Sequence, residues 1–158
     1  MTAMDTTVGK HADIEEGSPL DVAIRGRADI FKMTQAAEDA VLRPHETGAW
    51  PHPLRAALAA RIAALNDEHE LSRHYAADAA EFAAHADPST DGGDLKEVVA
   101  FMEKVAAQTR SVDAEDISAL KATGIDDADI VRLAELNAFL SYQIRLIAGL
   151  RLMKGASA

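Results

Sequence analysis

Leu54-Arg55-Ala56-Ala57-Leu58-Ala59-Ala60-Arg61-Ile62-Ala63-Ala64-Leu65-Asn66-Asp67-Glu68-His69-Glu70-Leu71-Ser72-Arg73-His74 is the stretch on which the fold turns. Leu54, Leu58, Ile62 and Leu65 recur at helical spacing, and alanine, the strongest helix former, fills most of the gaps. Pro53 stands where a helix begins, and Asn66 to Glu68 reads as a break or tight corner before a second helix. That second helix is expected over 67–85. It stops ahead of Asp87-Pro88, because a residue preceding proline avoids the helical region.

Working towards the N-terminus, residues 43–53 hold three prolines, a glycine and the sole tryptophan, so they form a loop, with Trp50 pinning it to the body. A helix over 27–42 precedes it, with Ile30, Phe31, Ala37, Ala40 and Val41 on its buried side. Ser18 and Pro19 give a cap and first turn for a short helix ending near Arg25, and Gly26 breaks it. Residues 1–17 lack an apolar period and read as a frayed or disordered terminus. Towards the C-terminus, Asp91-Gly92-Gly93-Asp94 is a turn before a helix over 95–108, and a short helix over 113–123 ends at Gly124. The last and longest helix starts at Asp126 or Asp127 and reaches about residue 153, leaving 154–158 as a tail. One helical domain over 18–153 results, of six to seven helices.

Composition supports an all-α reading. The chain has 158 residues, enough for a single domain, and its aromatic share is only 4% against a hydrophobic share of 48%, so small and aliphatic side chains must fill closely packed helices. There is no cysteine, which excludes a disulfide framework and thiolate metal sites and, with no signal-like N-terminal segment, leads to a cytoplasmic expectation. Lys plus Arg number 16 against 26 Asp plus Glu, a net charge of −10, so nucleic acid and anionic lipid are not expected partners. The last helix carries apolar residues around most of its circumference, from Ile130 to Leu150, and so is either central to the domain or covered by a partner subunit. A membrane span is disfavoured by Glu135, Asn137, Gln143, Arg145 and Arg151. Self-association as a homo-oligomer is expected.

The corner after the alanine helix, with Asp67 and Glu70 three residues apart and His74 four residues on, resembles the Cys-x-x-Cys-x-x-x-His segment of the alkylhydroperoxidase D and carboxymuconolactone decarboxylase superfamily. The resemblance covers about residues 53–152. Near its end, Asn137 to Leu150 is similar to the closing helix of the peroxidase-related branch; Arg145 fits that pattern, while Ile144 replaces the asparagine before it. The resemblance implies an orthogonal helical bundle of the alkylhydroperoxidase D-like type that self-associates. It also implies a catalytic centre at which Asp67 and Glu70 occupy the cysteine positions, His74 the histidine position and Arg55 that of a relay glutamate. Thiol peroxidase chemistry is not expected, since disulfide exchange requires a thiolate. Proton transfer of the decarboxylase kind needs no redox pair, and His74 is suited to it.

Candidate site residues follow from these patterns. At about 100° per residue, Asp67, Glu70, His74, Asp78, Glu81 and His85 fall in one band of a continuous 67–85 helix. The band is either a solvated face or a polar pocket; neither a metal nor another cofactor is expected there. His69 and His74 are five residues apart, about 140° on a helix, and cannot share an ion in zinc-protease fashion. No Glu-x-x-His stands anywhere to suggest a di-iron bundle. Arg61 interrupts the apolar stripe of its helix, so it either snorkels or meets a carboxylate from Asp67, Glu70 or a ligand. Arg145 poses the same question, with Tyr142 beside it as hydroxyl donor or core residue. Two functional expectations remain open: a redirected acid-base enzyme with His74, Glu70 and Asp67 acting on a small carboxylate held by Arg61, Tyr142 and Arg145, or a non-catalytic oligomeric binding or structural module.

Overall fold

The computed structural model describes residues 1–156, the side chain of residue 156 excepted; among the described residues the chain is helical with no strand. The α-helices are α1 (Thr7–His11), α2 (Pro19–Arg25), α3 (Ala28–Leu42), α4 (His52–Leu65), α5 (His69–Ala76), α6 (Lys96–Ala107), α7 (Ala114–Ala122) and α8 (Asp127–Ala156), with short 3-10 turns between several of them. Two helices organise the rest. α8 packs against α1, α3, α4, α6 and α7, and α4 packs against α3, α5, α6, α8 and the 3-10 turn Ala80–Ala86. Every residue from Leu54 to Ala63 is buried, so α4 has no solvated face for most of its length. Its alanines allow this, because small side chains let neighbouring backbones approach on all sides.

Burying α4 on all sides also buries two arginines, Arg55 satisfied by backbone carbonyls and Arg61 by carbonyls together with Glu103 of α6. Arg55 donates from Nε to the Trp50 carbonyl at 2.8 Å, from Nη1 to that of Val41 at 2.9 Å and from Nη2 to that of Thr47 at 2.8 Å. These bonds lock the loop before α4. Trp50 pins the same loop as its indole donates to the Asp129 carbonyl at 2.8 Å, and Gly48 (φ +59) passes so close to Asp129 that a Cβ would lie 2.1 Å from its Oδ1. Only glycine fits both the left-handed backbone and that contact.

The N-terminus is not frayed. Thr6 caps α1 by accepting from the Gly9 amide at 3.1 Å, and Ala3, Val8 and Ala12 lie in the core. Their contacts come from α3 and α8, far along the chain, which is why no local period marks them. The helix expected over 67–85 is also interrupted. Asp67 takes a left-handed backbone (φ 60), so α5 starts only at His69, and a second left-handed residue, Ala80 (φ 45), separates α5 from the 3-10 turn Ala80–Ala86. Leu65, the last apolar residue of the α4 pattern, is 41% exposed at that corner. At the C-terminus α8 continues through the start of the expected 154–158 tail, whose last two positions lie outside the described residues.

Candidate functional site

The residues that the sequence nominated come to rest in three separate places. Arg61 is 1% exposed and faces the 85–90 segment. Its Nε donates to Glu103 Oε1 at 2.6 Å; Nη1 donates to the carbonyls of Asp87 at 2.7 Å and His85 at 3.3 Å and to Thr90 Oγ1 at 3.2 Å; Nη2 donates to the carbonyls of Pro88 at 3.4 Å and of Thr90. It therefore neither snorkels nor meets Asp67 or Glu70. With its donors engaged, it has no free edge for a ligand carboxylate and acts as the anchor of that loop.

His74 lies on the outer side of α5 and is exposed. Its ring packs edge-on against His11 of α1, with centroids 5.1 Å apart, and against Tyr75 at 5.2 Å. Glu70 turns to Arg73 in an exposed ion pair rather than towards His74, and Asp67 is exposed at the corner. Because the break at Asp67 and the left-handed Ala80 interrupt the helix, the acidic band does not form one continuous face. Among the described residues no group of three or more His, Asp or Glu side chains is placed to hold a metal.

Around His11, burial and the charges of its neighbours act on the ring together. Arg151 donates from Nε and Nη2 to the His11 carbonyl at 2.9 and 2.7 Å, while its Nη1 holds both oxygens of Glu68 at 2.9 and 2.8 Å. Burial, and then the neighbouring His74 and Arg151, push the His11 pKa below the ordinary histidine value, against the opposing pull of Glu70 and Glu68.

Tyr142 and Arg145 are together, in a groove of about 580 Å³ between α6 and α8. Val105, Ala134, Ala138 and Leu146 give it apolar walls, and Asn137, Ser141, Tyr142 and Arg145 give it polar ones. Tyr142 is 44% exposed and shares a 3.0 Å hydrogen bond with Thr34, so it is not a core residue. Arg145 is exposed and forms no hydrogen bond or ion pair among the described residues. Asn137 donates to the Met102 carbonyl at 2.8 Å, but its Oδ1 is the buried side-chain polar atom left without a partner among the described residues. An orphaned buried acceptor is uncommon in native proteins.

A fourth cluster escaped the sequence reading. Glu38 on α3 is 1% exposed; its Oε1 accepts from Thr7 Oγ1 at 2.8 Å and its Oε2 from Gln143 Nε2 at 2.6 Å, while Gln143 Oε1 accepts from the Tyr75 hydroxyl at 2.6 Å. Burial and the Glu38 charge push the Tyr75 pKa far above the ordinary tyrosine value. The periodicity of α8 contains the signal, since Gln143 falls in register with the inward-facing Leu136, Leu140 and Ile147. This network joins α1, α3, α5 and α8 and leaves Tyr75 on the wall of a smaller cavity of about 270 Å³ with Arg43, His52 and Asp78.

No protein-family model, curated protein or solved structure matches this chain.

Proposed function

We propose that this chain is a non-catalytic, self-associating helical module, built on the scaffold of the alkylhydroperoxidase D-like superfamily that residues 53–152 resemble. The observation that carries the reading is the outer face of α8. Val131, Tyr142, Leu152 and Met153 are 54%, 44%, 76% and 53% exposed there, half of the large exposed hydrophobic residues of the described chain. Leaving such a face in water forgoes about 25 cal/mol for each Å² of apolar surface. The placement of His74, Glu70 and Asp67 on open surface, together with the engagement of Arg61 by a loop, removes the enclosure that acid-base chemistry on a bound carboxylate needs. Peroxide reduction with dithiol donors is not expected either, because no side chain can form the mixed disulfide. Sedimentation equilibrium of the intact chain tests the reading. The expected result is a concentration-dependent dimer or larger species at micromolar concentration, and Ala138→Arg shifts it to monomer without loss of helix. A wild-type chain that stays monomeric throughout overturns it.

A second reading rests on Arg145 in the groove between α6 and α8. The groove, lined by apolar side chains and the unpaired Arg145, fits a small carboxylate with an apolar body. Calorimetric titration with short-chain hydroxy acids distinguishes it: saturable binding lost in Arg145→Gln supports this reading, and no heat of binding removes it.

A further inference from the structure

The outer face of α8 carries features that make sense against a second copy of itself. At about 100° per residue, Val131, Ala134, Glu135, Ala138, Tyr142, Arg145, Gly149 and Leu152 share one side of the helix within about 100°. All of these residues are exposed. Glu135 and Arg145 stand about 15 Å apart along the axis, too far to meet within one chain. Neither forms a hydrogen bond or ion pair among the described residues, although the field of Glu135 reaches Arg55.

Gly149 is the second anomaly. Glycine inside a helix costs about 1 kcal/mol relative to alanine. Within the chain nothing requires it, since a Cβ at this position would meet no atom within 4 Å. Its smallness answers to no intramolecular neighbour.

We infer that α8 pairs with α8 of a second copy in antiparallel fashion, about a two-fold axis level with Leu140, so that Glu135 of each chain meets Arg145 of the other. This rests on the self-association proposed above and specifies its geometry. The same axis sets Tyr142 level with Ala138 of the partner copy and Val131 level with Gly149. At each of these levels a larger side chain faces a small one, and the charged level joins opposite signs. A face that complements itself under a two-fold rotation is what an isologous dimer requires. Packing of this kind, with small residues admitting a close approach, leaves the Glu135 and Arg145 side chains within reach of one another across the seam. The net charge of −10 makes two copies repel at long range, so the two symmetry-related ion pairs also select the register at which that repulsion is locally relieved.

Charge exchange tests the geometry. Glu135→Arg and Arg145→Glu each place like charges opposite one another and are expected to weaken self-association about tenfold or more, and the double variant E135R/R145E restores it to near the wild-type level. Circular dichroism of each variant checks that the monomer fold persists, as expected for exposed positions. Gly149→Leu is expected to keep or raise the melting temperature of the isolated chain while weakening association. If wild type self-associates but the single exchanges leave it unchanged, or the double variant fails to recover, the antiparallel pairing is wrong and the self-association stands. If wild type does not self-associate, both fall.

Discussion

Tyr75 on α5 and Gln143 on α8 share a 2.6 Å buried hydrogen bond, and through Gln143 the Glu38 carboxylate of α3 is tied to both helices. Tyr75→Phe keeps the ring and leaves Gln143 Oε1 buried without a donor. A loss of about 1–2 kcal/mol is expected from urea unfolding, the usual cost of an unsatisfied buried acceptor. An unchanged midpoint would show that water reaches the cluster.

Arg61 gives a larger effect. Arg61→Met removes the donors that hold the 85–90 segment and leaves Glu103 and several carbonyls unpaired, at a cost of about 3–5 kcal/mol. Arg61→Lys is not expected to rescue, since an ammonium cannot reach acceptors fanned over a whole loop. Limited proteolysis should cut first between residues 85 and 92 in either variant; resistance equal to wild type would refute the anchoring role.

Two glycines separate backbone strain from collision. Gly17 and Gly48 both have positive φ, at +79 and +59, but a Cβ meets nothing near Gly17 and lies 2.1 Å from Asp129 Oδ1 at Gly48. Gly17→Ala should therefore cost about 1 kcal/mol, the left-handed penalty alone. Gly48→Ala should cost clearly more and should shift Trp50 fluorescence, because the loop must move. Equal melting temperatures for the two variants would contradict this.

Acid sensitivity is expected at the contact between α1 and α5. The folded-state pKa of His11 is lowered, so below the unfolded value of about 6.5 the unfolded chain binds the extra proton more readily. Stability is therefore lost as pH falls through that window towards the folded pKa. The groups facing His11 are His74 on α5, Arg151 on α8, and Glu68 and Glu70 at and within the start of α5. His11→Gln should flatten the slope of stability below about pH 6.5. A slope identical to wild type would assign the sensitivity elsewhere.

Much of the helix layout was legible because punctuation was strong. Ser18 and Pro19, the prolines of the 43–53 loop, the Asp91 to Asp94 turn and Gly124 bound elements found within a residue or two of expectation. The N-terminal helix was not legible, since Ala3, Val8 and Ala12 are buried by residues far along the chain. The corner at Asn66 to Glu68 was legible and holds the left-handed Asp67, whereas the interruption at Ala80 was missed for a different reason. Alanine is the strongest helix former, so nothing local marks the positive φ of Ala80. Of the nominated residues, Arg61 is buried on the apolar stripe that marked it, whereas Tyr142 and Arg145 are exposed. The partners of Arg61 were out of reach of spacing rules, because it closes on a loop and on Glu103 of another helix.

The two kinds of fastening in this molecule respond differently to solution conditions. Arg55 grips neutral carbonyl oxygens, whose affinity for a guanidinium does not change with proton activity and is little screened by salt. The end of the N-terminal segment is held in part through charged groups: Lys154 pairs with Asp13, and Arg151, which also pairs with Glu68, grips the His11 carbonyl beside the His11 ring. Acid or high ionic strength is therefore expected to weaken the ties of residues 11–13 to α8 and α5 before the grip of Arg55 on its carbonyls.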